Sequence, residues 1–334
     1  GLTALEAAHI PNIDAISIEG RQGMSQTVPN GMEAGSDVAQ MSLLGYDPKE
    51  FYSGRAPIEA AAQDIEITPE DWVLRCNLVT LSDMVMADHS AGHISTDEAR
   101  QLIGLLAQVF SDIPNIRFYT GVSYRHLCVI SDTNLKVKTT PPHDIIGKKI
   151  SKYLPKGKGA KILNSIIDES QKLFESHDIN RIRRDLGENR VSSVWLWGQG
   201  RKAVMERFSA KFGVTGAAIT AVDLVRGLAK LIHFDLLEVE GATGYIDTNY
   251  KGKAEAAIKA LEDHDLVYVH IEGPDEAGHN GDAAGKKKGL ELIDKHIVGP
   301  VHEALKQHES YRILVLPDHP TPCKIRTHTS DPVP

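Results

Sequence analysis

From Arg190 onward the chain alternates short apolar runs with amphipathic ones: SSVWLWGQG, AAITAVDLVRGLAKLIHF, DLVYVHIEG, GLELIDKHIVGPVHEALKQH and YRILVLPDH. Strands alternating with helices are the grammar of a parallel sheet wrapped by helices. This constrains the fold class to α/β, with a mostly parallel sheet and helices on both faces. The earlier part reads differently. Ala4 to Glu19 looks helical, and a Gly-rich turn from Gly31 to Gly35 feeds a helix that starts near Ser36 and stops before Gly45. Trp72 to Leu81 is a strand of apolar and β-branched residues. STDEARQLIGLLAQVF is a helix capped by Ser95 or Thr96 with acidic residues in its first turn. IRFYTGVSYRHLCVI gives two strands around Gly121, and ILNSIIDESQKLFESH another helix. The stretch from about Ser82 to Glu188 lacks the strand–helix alternation and reads as a separate, smaller mixed α/β unit. The expected division is therefore a discontinuous core, 1–81 and 189–334, around a unit at 82–188.

Composition narrows the functional classes. At 334 residues the chain exceeds what one core usually supports, which agrees with two units. A formal net charge of −8 leaves no basic stripe to neutralise a nucleic-acid backbone, but it leaves room for a local Arg/Lys cluster around a small anion. No apolar run reaches the length of a membrane span. Cys76, Cys128 and Cys323 are few and scattered. That usage suits a reducing compartment, and the expectation is a cytoplasmic, soluble protein. The opening GLTALEAAHIPNIDAIS reads as a helix that follows a strand lying upstream.

Parallel sheets bind ligands beyond the carboxyl ends of their strands. DLVYVHIEG runs into Asp275, and His279 follows one helical turn later, so the two side chains share a helix face. The strand expected at Tyr311 to Leu316 runs into Asp318 and His319, with His328 on the following loop. Mixed Asp and His ligands suit borderline ions such as Zn2+ or Mn2+. Asp-His pairs also occur at Asp88 and Asp263, where a solvated helix end explains the second, so only the position beyond two core strands distinguishes the set. Ser36, after Gly35 at a helix start, offers a hydroxyl that a divalent ion could activate. On local sequence alone it reads more readily as a plain N-cap.

The segments AGSDVAQMSLLGYDPKEFYSGRAPIEAA, WLWGQGRK, GATGYIDTNYKGKAEAA, HIEGPDEAGHNGD and LVLPDHPTPCKIRTHTSDPVP resemble the archaeal-type, cofactor-independent phosphoglycerate mutases of the alkaline phosphatase superfamily. The resemblance runs nearly the whole chain. It implies a phosphatase-like core with an inserted substrate-binding domain and two divalent metal ions (Mn2+, Zn2+ or Mg2+). It also implies no requirement for 2,3-bisphosphoglycerate, and interconversion of 3- and 2-phosphoglycerate through a phosphoserine. Carried over by position, Ser36 matches the nucleophile, also a metal ligand. Asp275, His279 and His328 match one metal site, and Asp318 and His319 match part of the other. The family's first-strand aspartate ligand has no counterpart in the sequence. A small phosphorylated acid also needs cationic partners. His93, Arg125 and His126 in the insert, with Arg201 and Lys202 after a Gly-rich strand end, are the candidates. ADHSAGHIST, GVSYRHLCV and TTPPHDIIGKKI resemble a subgroup proposed to act as homoserine kinases, which leaves a related phosphotransferase, or a phosphomonoesterase, as the alternative. No G-x-x-x-x-G-K-[ST] phosphate loop is present in the sequence, which weakens an ordinary nucleotide-dependent kinase. A non-catalytic binding module of the same fold is the remaining possibility.

Overall fold

The computed structural model describes residues 2–132 and 134–334. The chain divides into two compact units, one of residues 1–52, 61–63 and 204–334, the other of 53–60 and 64–203.

The second unit is built on β1 (Asp71–Ser82), a twelve-residue strand. It pairs antiparallel with β2 (Val85–Asp88) at its end, with β4 (Arg125–Ser131) on one side, and with β7 (Ser193–Arg201) on the other. β3 (Ile116–Tyr119) extends the sheet beyond β4, and β5 (Lys136–Lys138) pairs β6 (Lys156–Lys158) in a separate ribbon. Because side chains alternate along a strand, β1 divides its residues between two faces. Leu74, Cys76 and Leu78 join Cys128, Ile130 and Leu196 under the helices Thr96–Val109 and Ala160–Glu175. The first of these helices starts as the sequence suggests. The Ser95 hydroxyl accepts from the Glu98 amide while the Glu98 carboxylate accepts from the Ser95 amide, the reciprocal cap that satisfies two orphan donors. The opposite face carries two further apolar clusters. One is Val73, Leu127 and Val129 with Ala56 and Ala60; the other is Val79, Leu81, Trp195 and Trp197 with Ile145 and Ile150.

The first unit holds a parallel sheet of β8 (Gly216–Ile219), flanked by β9 (Asp235–Leu236) and β10 (Leu266–Val269). Gly216 sits where a Cβ would come 2.2 Å from the Phe234 ring, so close packing requires glycine there. The buried Asp294 carboxylate accepts from Asn12 Nδ2 and the Ile13 amide, both at 2.8 Å, tying the N-terminal helix Pro11–Glu19 to this unit.

Four expectations need correction. Tyr311–Leu316 is not a strand. It pairs with no strand among the described residues, and Leu314 is 80% exposed. Strand propensity reflects fit to a paired, half-buried surface, and these residues lack that surface. The Ser193–Arg201 segment is a strand, but it pairs antiparallel with β1 in the other unit. The apolar run is the same for either direction of pairing. For the same reason β1 falls in the second unit rather than with residues 1–81, and the unit boundaries are wider than 82–188. Ala4–Glu19 forms two helices, Ala4–Ala7 and Pro11–Glu19, because Pro11 is tolerated only in a first turn.

Leu102, fully buried beneath the sheet, sets the stability of the second unit. Leu102→Ala lowers that unit's stability by about 2–5 kcal/mol, read as a shift in its urea midpoint. Val109→Ala, at an exposed site on the same helix, changes it by no more than about 0.5 kcal/mol.

Candidate metal centre

β10 ends at Val269, and the chain passes through His270 into the helix Gly273–His279. Pro274 sits in its first turn, and one turn separates Asp275 from His279, whose Nε2 lies 3.1 Å from Asp275 Oδ2. His328 arrives from the C-terminal loop. Its Nε2 is 3.5 Å from Asp275 Oδ1 and 2.8 Å from His279 Nε2. The His319 ring lies tilted by 38° against that of His328, ring centroids 4.0 Å apart. Ligand atoms of Asp275, His319 and His328 all lie within 4.8 Å of one another. The Asp318 carboxylate is 3.4 Å from His319 Nε2.

Ser36 joins this group. Gly35 takes the cap position and Ser36 is the first helical residue of Ser36–Leu43, so its hydroxyl caps nothing. Its Oγ lies 3.0 Å from His319 Nε2, and the residue is 9% exposed. The neighbouring Asp37 faces elsewhere, accepting from Tyr52 Oη at 2.6 Å. Thus Ser36, Asp275, His279, Asp318, His319 and His328, from three stretches of sequence, meet in one unit.

Several groups around them carry no sequence signal strong enough to single out. Gln40, one turn beyond Ser36, donates from Nε2 to Asp318 Oδ2 at 2.9 Å and accepts from the Tyr268 hydroxyl. Thr321 donates to Asp275 Oδ1, and its Oγ1 is 3.3 Å from His319 Nδ1. Lys286 Nζ donates to the Thr321 carbonyl at 2.7 Å. Gly278 permits this: a Cβ there would stand 2.4 Å from the same carbonyl. Of these only Gln40 was accessible from spacing, since it shares a helix face with Ser36.

Burial pushes the Asp275 carboxyl upward, but hydrogen bonds from His328 and Thr321 and the charges of His279 and His328 outweigh it and hold it well below the usual carboxylate range. Burial lowers His319, aided by the neighbouring imidazoles against the pull of Asp318 and Asp275. Burial also depresses His328, yet Asp275 more than compensates and leaves it raised. Behind them, burial brings the His270 imidazole down to about 4. The result is a carboxylate anion facing imidazole nitrogens that point at one another. Two imidazole nitrogens 2.8 Å apart can share one proton or one cation, but they cannot both carry a hydrogen toward each other. A set of carboxylate oxygens and imidazole nitrogens converging in this way fits a borderline divalent ion.

The five candidates for holding a substrate all lie in the second unit, and they do not form one group. His93 and Arg125 are exposed and meet across Tyr124, the ring of His93 at 5.8 Å and the Arg125 guanidinium at 5.6 Å from its centroid. His126, the next residue on β4, points to the opposite face. It is 2% exposed, accepts from the Gly121 amide at 3.0 Å, and is brought to about 4 by burial. Arg201 lies over Trp72, 4.8 Å from its ring, at the far end of β1 from Asn77, the partner of Arg125. Lys202 is exposed just beyond the end of β7.

A hydroxyl beside carboxylates and imidazoles just beyond β10 fits the class of α/β proteins that combine a serine with divalent cations. The comparisons identify the family within it. Residues 18–180 match the model of 2,3-bisphosphoglycerate-independent phosphoglycerate mutase. A 2,3-bisphosphoglycerate-independent phosphoglycerate mutase of Methanosarcina mazei is 49% identical across 99% of this chain and 84% of its own length. A probable one from Geobacter sulfurreducens is 48% identical across 100% of this chain and 84% of its own length. Among solved structures, a Pyrococcus horikoshii protein matches with a TM-score of 0.80 and 28% identity, covering 100% of this chain and 81% of its own. A cofactor-independent phosphoglycerate mutase from Thermoplasma acidophilum gives 0.62 and 26%, over 92% of this chain and 79% of its own. The chain belongs to the 2,3-bisphosphoglycerate-independent phosphoglycerate mutases, a metal-dependent family of isomerases. Among the described residues no helix is long and apolar enough to cross a membrane.

Partners of metal-ligating carboxylates typically contribute about 10–100-fold to ion affinity. Removing the hydroxyl that steadies Asp275, in Thr321→Val, weakens Mn2+ or Zn2+ binding by about tenfold or more, measured by titration against a competing chelator.

Proposed function

We propose that this protein interconverts 3-phosphoglycerate and 2-phosphoglycerate through a phosphoserine on Ser36, within an alkaline-phosphatase-like core whose insert is the second unit. The observation that carries the reading is that Ser36 Oγ lies 3.0 Å from Nε2 of His319, a member of the Asp275, His319 and His328 cluster. Asp275, His279 and His328 would hold one divalent ion; Asp318, His319 and Ser36 would hold part of a second site. Mn2+, Zn2+ or Mg2+ bound there supplies positive charge for the phosphoryl oxygens and makes the serine hydroxyl easier to deprotonate.

The chain's own groups then divide the work. His319 holds the Ser36 hydroxyl in a fixed direction, and Gln40 holds Asp318. Ser36 Oγ forms a bond to phosphorus as the bond from phosphorus to the glycerate oxygen breaks, and the serine proton balances the alkoxide that departs. Glycerate reorients without leaving. Its other hydroxyl attacks the phosphoserine, loses its proton and returns Oγ to the free hydroxyl. No nucleotide enters or leaves the cycle.

Phosphorus NMR of 3-phosphoglycerate with the full chain and Mn2+, without nucleotide, shows 2-phosphoglycerate growing in. Inorganic phosphate in its place identifies a phosphomonoesterase, and an unchanged spectrum removes the mutase reading. Ser36→Ala loses turnover by on the order of 10⁴-fold or more while the ion of the Asp275, His279 and His328 site, measured by elemental analysis, is retained. Retained turnover rules out the covalent step.

A further inference from the structure

The ribbon of β5 and β6 in the second unit is paired in a register that sets like charges against each other. Lys136 stands opposite Lys158, and Lys138 opposite Lys156. Residues directly opposed in an antiparallel pair share a face, and so do residues two apart on one strand. The four lysine side chains therefore leave the same side of the ribbon, their Cβ atoms at the corners of a rectangle of about 5 by 7 Å. All four residues are exposed, while Val137, between two of them, packs against the apolar cluster beneath the helices.

Nothing nearby offsets this charge. None of the four lysines forms an ion pair among the described residues, and Lys158 Nζ donates to a neutral acceptor, Asn134 Oδ1, at 3.1 Å. Between residues 134 and 161 the chain holds eight lysines and a single acidic residue, Asp144, although its formal net charge is −8. Like charges directly opposite each other destabilise a strand pair, and a two-stranded ribbon has little stability of its own. The ribbon is instead fixed from its other side. Gln199 Nε2 donates to the Val137 carbonyl at 3.0 Å and Thr139 donates to Gln199 Oε1. Gly157, at a φ of +107°, permits an approach in which a Cβ would stand 2.3 Å from the Lys136 carbonyl oxygen. A face that served solubility alone would intersperse both signs. Here the backbone is held so that four like charges stay together.

We propose that Lys136, Lys138, Lys156 and Lys158 form a binding site for a compact, multiply charged phosphate anion, a short phosphate chain of the kind found in tripolyphosphate. Lysine presents a point charge with rotatable donors, which suits tetrahedral phosphate groups, whereas the planar fork of arginine suits a carboxylate. The ribbon's outer face offers no aromatic ring on which a nucleic-acid base could stack and no apolar side chain to enter a lipid surface. Its small rectangle matches a compact anion. The site is independent of the mutase reading.

Calorimetric titration of the full chain at low ionic strength, with tripolyphosphate and with inorganic phosphate, tests this. Tripolyphosphate binds at least about tenfold more tightly than inorganic phosphate, and Lys136→Gln combined with Lys158→Gln raises its Kd by about tenfold or more, the usual scale for a hydrogen bond to a charged group. The same pair of substitutions leaves inorganic phosphate unchanged. Lys251→Gln combined with Lys259→Gln, exposed positions on the Tyr250–Ala260 helix of the first unit, removes the same charge and keeps the affinity for tripolyphosphate. Lys136→Glu combined with Lys138→Glu turns both opposed pairs into opposite charges, so this variant loses tripolyphosphate and melts at a higher temperature than the unsubstituted chain. Equal affinity for the two anions overturns the site, as does an unchanged Kd in the ribbon variants or an equal loss in the Lys251 and Lys259 control. Binding of anionic vesicles or a single-stranded oligonucleotide without binding of tripolyphosphate overturns it as well.

Discussion

The most demanding group in the molecule is the Asp275 carboxylate. Its side chain is 17% exposed, and a carboxylate taken that far from water costs several kcal/mol unless charge and hydrogen bonds replace the lost hydration. The replacement comes from His279 one turn along its own helix, from His328 on the C-terminal loop, and from Thr321 between them. Each partner brings constraints of its own. Thr321 can reach Asp275 only because Gly278 lets the helix approach the loop, and Lys286 pins the same loop from the next helix, Ala283–Ile293. One desolvated anion thus fixes the path of the last stretch of chain, and that path carries Asp318 and His319 to Ser36.

What the sequence made legible follows from how local each signal is. Asp275 and His279 were readable because helical spacing alone places them together. Ser36 was readable because a glycine-rich turn precedes it. The capping residues Ser95 and Glu98 were readable because the cap is complete within four positions. Tyr268 and Thr321 were not, since a polar side chain looks like any other until the fold shows what it touches. Tyr311–Leu316 and Ser193–Arg201 show the other limit. Both have strand-like composition, yet one has no pairing partner among the described residues and the other pairs in the opposite sense and in the other unit. Composition reports suitability for a sheet and says nothing about which neighbour, or which direction, will be chosen.

Strand alternation also sorted the cationic candidates in a way that adjacency in sequence could not. Arg125 and His126 are consecutive, so on β4 they face opposite sides. His126 became a neutral core residue accepting a backbone hydrogen bond, while Arg125 shares its face with Asn77 and Arg75. Arg75 had been passed over within an apolar strand, where a single charge reads as an interruption. In the fold Glu59 and Trp197 hold it in place on that face.

At the carboxylate cluster, charge balance and ion binding are one problem. His328 is made more basic by Asp275, so at its nitrogen a proton and a metal ion compete for the same lone pair. His319 is pushed the other way by burial and by its imidazole neighbours. The cluster is therefore asymmetric before anything binds. A proton competes with an ion more strongly at His328 than at His319. Asp275 is the neighbour that makes His328 more basic, so the same carboxylate would face either cation, proton or ion, at that nitrogen.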